Sequence, residues 1–273
     1  MHLHLYKDGK RDRAARLPWP SLYVPFAVSD HAMTRSSRAE GRGLDQLRPI
    51  TFRIDPNKYA EGSCLVEMGD TQVLVTATID SVLPGWRRGT GKGWVTAEYA
   101  MLPRATDRRN SRESVIGKQR GRSEEIQRLI GRSIRAVTDL TRLGEIQIKL
   151  DCDVLQADGG TRCAAINGAF VALARAVQHL VRLGVLSESP LREPLAAVSC
   201  GLVDGEPRLD LDYSEDSRAE ADANFVLTAS GKVVEVQASA EQQAFAPEQL
   251  NAMLALAQAA VADIIAAQDK ALG

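Results

Sequence analysis

A chain of 273 residues, 44% hydrophobic and 25% charged, has the composition of a folded protein able to bury a substantial core, not of a disordered one. Its 34 basic and 35 acidic residues leave a formal net charge of −1, so any surface for a polyanion has to come from local clustering. No uninterrupted apolar run approaches the ~20 residues that span a bilayer, and the four cysteines and four histidines show no zinc-binding spacing.

The first 32 residues differ from the rest of the chain. Pro18, Pro20 and Pro25 interrupt their apolar stretch, which makes a poor signal peptide. Residues 1–32 read as a disordered leader or an upstream start, and 33–273 as a single domain. The cysteines, Cys64, Cys152, Cys163 and Cys200, read as reduced core thiols of a cytoplasmic protein. His179 is the one histidine beyond residue 31. It falls in a predicted helix and reads as a packing residue, so a histidine-centred mechanism has little to work with.

Residues 64–78 hold two β-rich runs around Gly69-Asp70 and predict a hairpin. A glycine- and tryptophan-rich loop comes next, then a short mixed run over 95–102. Apolar residues at three- and four-residue spacing predict a helix over 123–143, with Ser123 as its cap and Gly144 as its stop. A strand over 145–155 leads to a second helix over 162–183. There Ile166, Phe170, Leu173, Val177 and Leu180 point inward, and Gly168 suggests close packing. Hairpins turn at Asp204-Gly205 and near Ser230-Gly231, and an alanine-rich helix covers 247–271. The order predicts a mixed α/β (α+β) fold with antiparallel hairpins rather than strict βαβ alternation.

Three clusters can carry chemistry. At the junction between the strand and the second helix stand Gly159, Gly160, Thr161 and Arg162. Glycines let backbone approach a ligand, and a helix start offers free N–H groups to an anion. Thr161 can cap the helix. Arg162 then meets a dipole that disfavours a cation by a few tenths to about 1 kcal/mol, a penalty that a bound anion reverses. A plain turn explains the glycines equally well at this point. Arg122, next after Gly121 at the start of the first helix, repeats the unfavourable placement. Two such arginines look like opposite sides of one oxyanion pocket, since their forked donors fit phosphate. Both can instead point into water beside their own acidic neighbours.

The acidic run over 209–222 contains Asp210, Asp212, Glu215, Asp216, Glu220 and Asp222. It is either a solvated face or, where two carboxylates converge, a place for Mg²⁺. Residues 103–122 carry seven basic side chains, among them Arg104, Arg109, Arg112, Lys118 and Arg120, against two acidic ones. That segment suits a phosphate backbone; a solvated loop is the alternative.

The stretches GWVTAEYAMLPRATDRRNSRE, GRSEEIQRLIGRSIRA, LDCDVLQADGGTR and EDSRAEAD together resemble the ribonuclease PH family of phosphorolytic exoribonucleases. The likeness runs in order from about Met33 to the C-terminus. It implies a ribosomal protein S5 domain 2-like fold and a homohexamer built as a trimer of dimers. It implies that Arg122, Gly160, Thr161 and Arg162 bind inorganic phosphate, the co-substrate. Asp216 and Asp222 would serve catalysis and hold Mg²⁺, with Mn²⁺ as the alternative ion. Arg104, Arg109 and Arg112 match the arginines of the family's tRNA-binding loop. Arg120 and Cys163 depart from the pattern without removing a functional group. The implied activity is 3′-to-5′ trimming of tRNA precursors, and of other structured RNA such as rRNA, with release of nucleoside 5′-diphosphates; the reverse reaction extends RNA. Two rivals are a metal-dependent hydrolytic nuclease, which leaves the paired arginines unexplained, and a catalytically silent RNA-binding ring subunit, against which all four charged site residues argue.

Overall fold

Strand β1 (Ile50–Ile54), which the sequence patterns did not single out, pairs antiparallel with β2 (Gly62–Met68). The predicted hairpin forms as β2 and β3 (Thr71–Asp80), with Met68 opposite Thr71 across Gly69-Asp70. Strand β4 (Trp94–Met101) lies parallel to β5 (Gln147–Gln156), and β5 pairs antiparallel with β3, giving the sheet order β1-β2-β3-β5-β4. A parallel pair needs a crossover, here helices α1 (Glu113–Ile116), α2 (Gly121–Ala136) and α3 (Leu140–Leu143). The second sheet, β7-β6-β8-β9, is the two predicted hairpins: β6 (Leu195–Val203) with β7 (Glu206–Leu209), and β8 (Ala221–Thr228) with β9 (Val233–Ala240). This computed structural model describes Arg38 and residues 41–117, 121–241 and 243–273. The 1–32 leader, Lys118 and Arg120 lie outside the described residues.

The first helix departs from expectation. Instead of one helix over 123–143, α2 ends at Ala136 and α3 restarts at Leu140. β-Branched Val137 and Thr138 disfavour continuation. Asp139 then caps α3, its carboxylate accepting from the N–H groups of Thr141 and Arg142. Ser123 is not the cap of α2 either. It is the third residue of the helix, buried, and its hydroxyl donates to Glu113 Oε1 at 2.7 Å.

Helix α4 (Thr161–Arg182) lies between the sheets, packed on β2 and β3 from one side and β6 from the other. It is therefore buried nearly all round, as its small residues require. A Cβ on Gly168 would stand 2.9 Å from both Val66 Cγ1 and Val75 Cγ2, so glycine sets the distance between α4 and the first sheet. Buried Asn167 donates to Ala197 O and accepts from Ala197 N, satisfying backbone that β6 could not pair. His179 is partly exposed in the last turn, against Arg182. Helix α6 (Pro247–Leu272) places Met253, Ala257, Val261 and Ile264 on the second sheet. By length and composition α4 and α6 are each apolar enough to cross a membrane, a property that scattered polar residues hide from a search for uninterrupted runs. Most of α4 is core. All four cysteines are free and buried.

Candidate active site

The glycine pair at the head of α4 has a steric reason. Gly159 and Gly160 both adopt left-handed φ, 73° and 66°, where a Cβ is disfavoured. A Cβ on Gly159 would also lie 2.5 Å from Leu211 O and 2.8 Å from Asp212 C. The turn is thus pressed against the backbone that opens α5 (Tyr213–Asp216), the short helix carrying Asp216. Gly160 is the N-cap of α4 and supplies no side-chain cap. Thr161 does not cap the helix as expected. It is the first helical residue, and its buried Oγ1 accepts from Tyr99 Oη at 3.0 Å. The Thr161 hydroxyl keeps its own proton to donate. Ala164 N–H closes the first turn onto Gly160 O at 2.9 Å, so the preceding N–H groups have no partner within the helix.

A cavity of about 340 Å³ opens on this turn and is lined by Arg122, Gly160, Thr161, Arg162, Asp216 and Asp222. The structure thus brings the expected phosphate and metal residues together from α2, α4, α5 and β8. Arg122, the second residue of α2, is exposed and among the described residues makes no ion pair. Arg162 is held at Nη1 by a short relay. Its Nη1 donates to Gln237 Oε1 at 2.9 Å, and Gln237 Nε2 donates in turn to Glu125 Oε1 at 2.9 Å. Nothing in the sequence around Gln237 marks this role. Ser199 Oγ also lines this cavity, buried and without a hydrogen-bond partner among the described residues, a donor that a ligand or water could take.

Burial raises the pKa of the Asp216 carboxyl, and the nearby Arg122 and Arg162 guanidiniums oppose that rise. Burial also raises Asp222, reinforced by the negative charge of Asp216. Two carboxylates that repel each other at a cavity wall favour a divalent cation. Among the described residues no group of three or more His, Cys, Asp or Glu could hold a metal. A pair of carboxylates such as Asp216 and Asp222 is the kind of donor set Mg²⁺ takes when water and substrate phosphates complete its shell.

Asp210, Asp212 and Glu215 are taken up by pairing and capping within the protein. Glu215 is buried among Arg38, Arg42 and Arg208, accepting from Arg38 Nε at 2.7 Å and Nη2 at 2.6 Å. Asp212 accepts from Glu215 N and caps α5. Asp210 accepts from Arg48 Nη2 at 2.7 Å and Nε at 3.1 Å. Arg48 also donates to Asp158 O, so one arginine ties the glycine turn to the acidic run. Burial alone would lower the Arg48 pKa, but its bonds to Asp210 raise it. Arg38, Arg42 and Arg48 lie over 100 residues from these partners in the chain, which hides the pairings from local pattern.

The three arginines expected in a tRNA-binding loop are not in this cavity. Arg104, Arg109 and Arg112 are exposed on the turns after β4. Arg112 lines a separate cavity of about 580 Å³ with Glu98, Asp151 and Asp153. The segment reaches the site through Thr106 and Asp107 instead, in a third cavity of about 360 Å³ beside the first.

An α/β fold of two sheets about a central helix, with a pocket of paired arginines and carboxylates at that helix's head, defines the class. The models of the "3′ exoribonuclease family", domain 1 and domain 2, match residues 46–177 and 193–260. The chain is 57% identical over 235 residues to Ribonuclease PH of Rhodospirillum rubrum, covering 86% of this chain and 98% of that protein. It is also 57% identical over 235 residues to Ribonuclease PH of Maricaulis maris, covering 86% and 99%. The chain belongs to the ribonuclease PH family of 3′ exoribonucleases. Solved structures share the fold at lower identity. Rice (Oryza sativa) Rrp46 has a TM-score of 0.68 at 23% identity, covering 86% of this chain and 100% of that one. The Archaeoglobus fulgidus exosome with RNA bound to the active site gives 0.70 at 22%, covering 85% and 92%.

Proposed function

We propose that this protein is a phosphate-dependent 3′-to-5′ exoribonuclease that trims tRNA precursors and other structured RNA in the cytoplasm, as a homohexamer. The observation that carries the chemistry is that one cavity gathers two helix-start arginines and two burial-shifted carboxylates. Inorganic phosphate is held by Arg122, Arg162, the Thr161 hydroxyl and the free N–H groups of α4. A phosphate oxygen attacks the phosphorus of the last phosphodiester. The new P–O–P bond makes a nucleoside 5′-diphosphate as the bond to the 3′ oxygen breaks, and that oxygen takes a proton to become the new RNA 3′ end. An anhydride replaces a diester, so the reaction runs readily in reverse.

Positioning and charge neutralisation supply most of the rate. Arginines meet the attacking anion, and Gln237 with Glu125 fixes the angle of Arg162. Asp216 and Asp222 would hold Mg²⁺, which when bound offsets charge on the scissile phosphate. Arg104, Arg109 and Arg112 sit outside the cavity, where they can grip the body of the RNA without touching the reacting atoms. Arg162→Ala should raise the KM for phosphate about tenfold or more, the loss of a charged hydrogen-bond pair, while RNA binding persists. An unchanged phosphate KM would remove Arg162 from the pocket.

A further inference from the structure

The cavity that would take phosphate has a neighbour. The third cavity, about 360 Å³, shares Arg122, Gly160, Thr161 and Asp216 with it. Its remaining walls are of another kind: Met101 at the end of β4, Ala157 in the turn, and Tyr213 at the start of α5. Tyr213 is 64% exposed, yet its backbone is fixed. Its N–H donates to Asp158 Oδ1 at 3.2 Å, and Asp212 caps its helix.

The two cavities sort by chemistry. The first sets Arg122 and Arg162 against Asp216, Asp222 and Glu241, whereas the second sets Arg122 alone against Asp107, Asp158 and Asp216. A free anion therefore gains one more guanidinium in the first, and the carboxylates of the second can accept from ribose hydroxyls. A nucleotide at an RNA 3′ end has the matching polarity, with a phosphodiester at one end and a flat apolar base at the other. Placing the scissile diester at the shared border, over Arg122 and Asp216, puts inorganic phosphate in the first cavity and the terminal nucleoside in the second. We infer that Tyr213 is the stacking platform for the base of the 3′-terminal nucleotide. The inference rests on the phosphorolytic reading above. Stacking tolerates every base, which suits an enzyme that removes successive nucleotides whatever their identity.

The test compares wild type, Tyr213→Phe and Tyr213→Ala at saturating phosphate. Two RNAs are used, identical except that the last nucleotide of one lacks its base. Removal of that nucleotide is followed in a single turnover, and the diphosphate product is identified by mass. On the normal end, Tyr213→Ala should lose roughly tenfold in kcat/KM for RNA, the range of one lost stack. Tyr213→Phe should stay near wild type, and the phosphate KM should not move. On the abasic end, wild type and Tyr213→Ala should be alike. An alanine deficit undiminished on the abasic end, or no deficit on the normal end, overturns the assignment. If wild type forms no diphosphate from the normal end, the phosphorolytic reading itself fails and the inference falls with it.

Discussion

Asp222 is the second residue of β8, where burial and the charge of Asp216 both favour its protonated form. A carboxyl whose folded pKa is raised contributes its full stability only below the unfolded value. That contribution is lost as pH rises through the folded pKa. At neutral pH, without divalent ions, the ionised pair therefore works against folding. Asp222→Asn should melt higher than wild type near pH 7, and the gain should vanish in acid, where both proteins carry a neutral group. The same change should lower activity on the order of a hundredfold, the usual cost of losing one group that offsets transition-state charge. Melting curves across pH without Mg²⁺, paired with activity in its presence, check both halves. Wild-type activity should also fall with acid from a higher pH than a free carboxylate would give. An alkaline fall instead would assign Asp216 as a proton donor rather than a metal holder.

The turn between β5 and α4 shows how one element sets a site. Both glycines are required by φ, and Gly159 also by the backbone it meets at Leu211 and Asp212. Gly159→Ala should cost at least the ~1–2 kcal/mol of a left-handed L-residue and displace α5, and with it Asp216. Activity should drop far more than Asp216-independent RNA binding does, as measured by turnover and filter binding on the same preparation. Local signals served well wherever geometry is local. The hairpins at Gly69-Asp70, Asp204-Gly205 and Ser230-Gly231, the inward stripe of α4 and the arginines at two helix starts were all readable from spacing. Signals failed where the partner is remote. Nothing near Glu215 announces Arg38, nothing near Gln237 announces Arg162, and Tyr99 gives no sign that it will reach Thr161. The break between α2 and α3 was written in Val137, Thr138 and Asp139, but a continuing apolar period outweighed it.

At the scale of the molecule, near-zero net charge conceals separated fields. Acidic residues of the 209–222 run are largely neutralised by Arg38, Arg42, Arg48 and Arg208 inside the protein. Arg104, Arg109 and Arg112 remain exposed on the surface. Because they lie outside the reacting cavity, Arg109→Ala with Arg112→Ala should weaken tRNA binding and lower its salt dependence by roughly one power of salt per lost phosphate contact. Turnover of a short oligonucleotide should be nearly unchanged, and equal losses on both substrates would show that these arginines do not grip the body of tRNA. The central claim is that the arginine-bearing pocket at the head of α4 holds the attacking phosphate. Its most direct test is to incubate the protein and Mg²⁺ with a tRNA bearing extra 3′ nucleotides, with and without inorganic phosphate, and to identify the products. Nucleoside 5′-diphosphates formed only when phosphate is present are the predicted result; nucleoside monophosphates released without phosphate would contradict it.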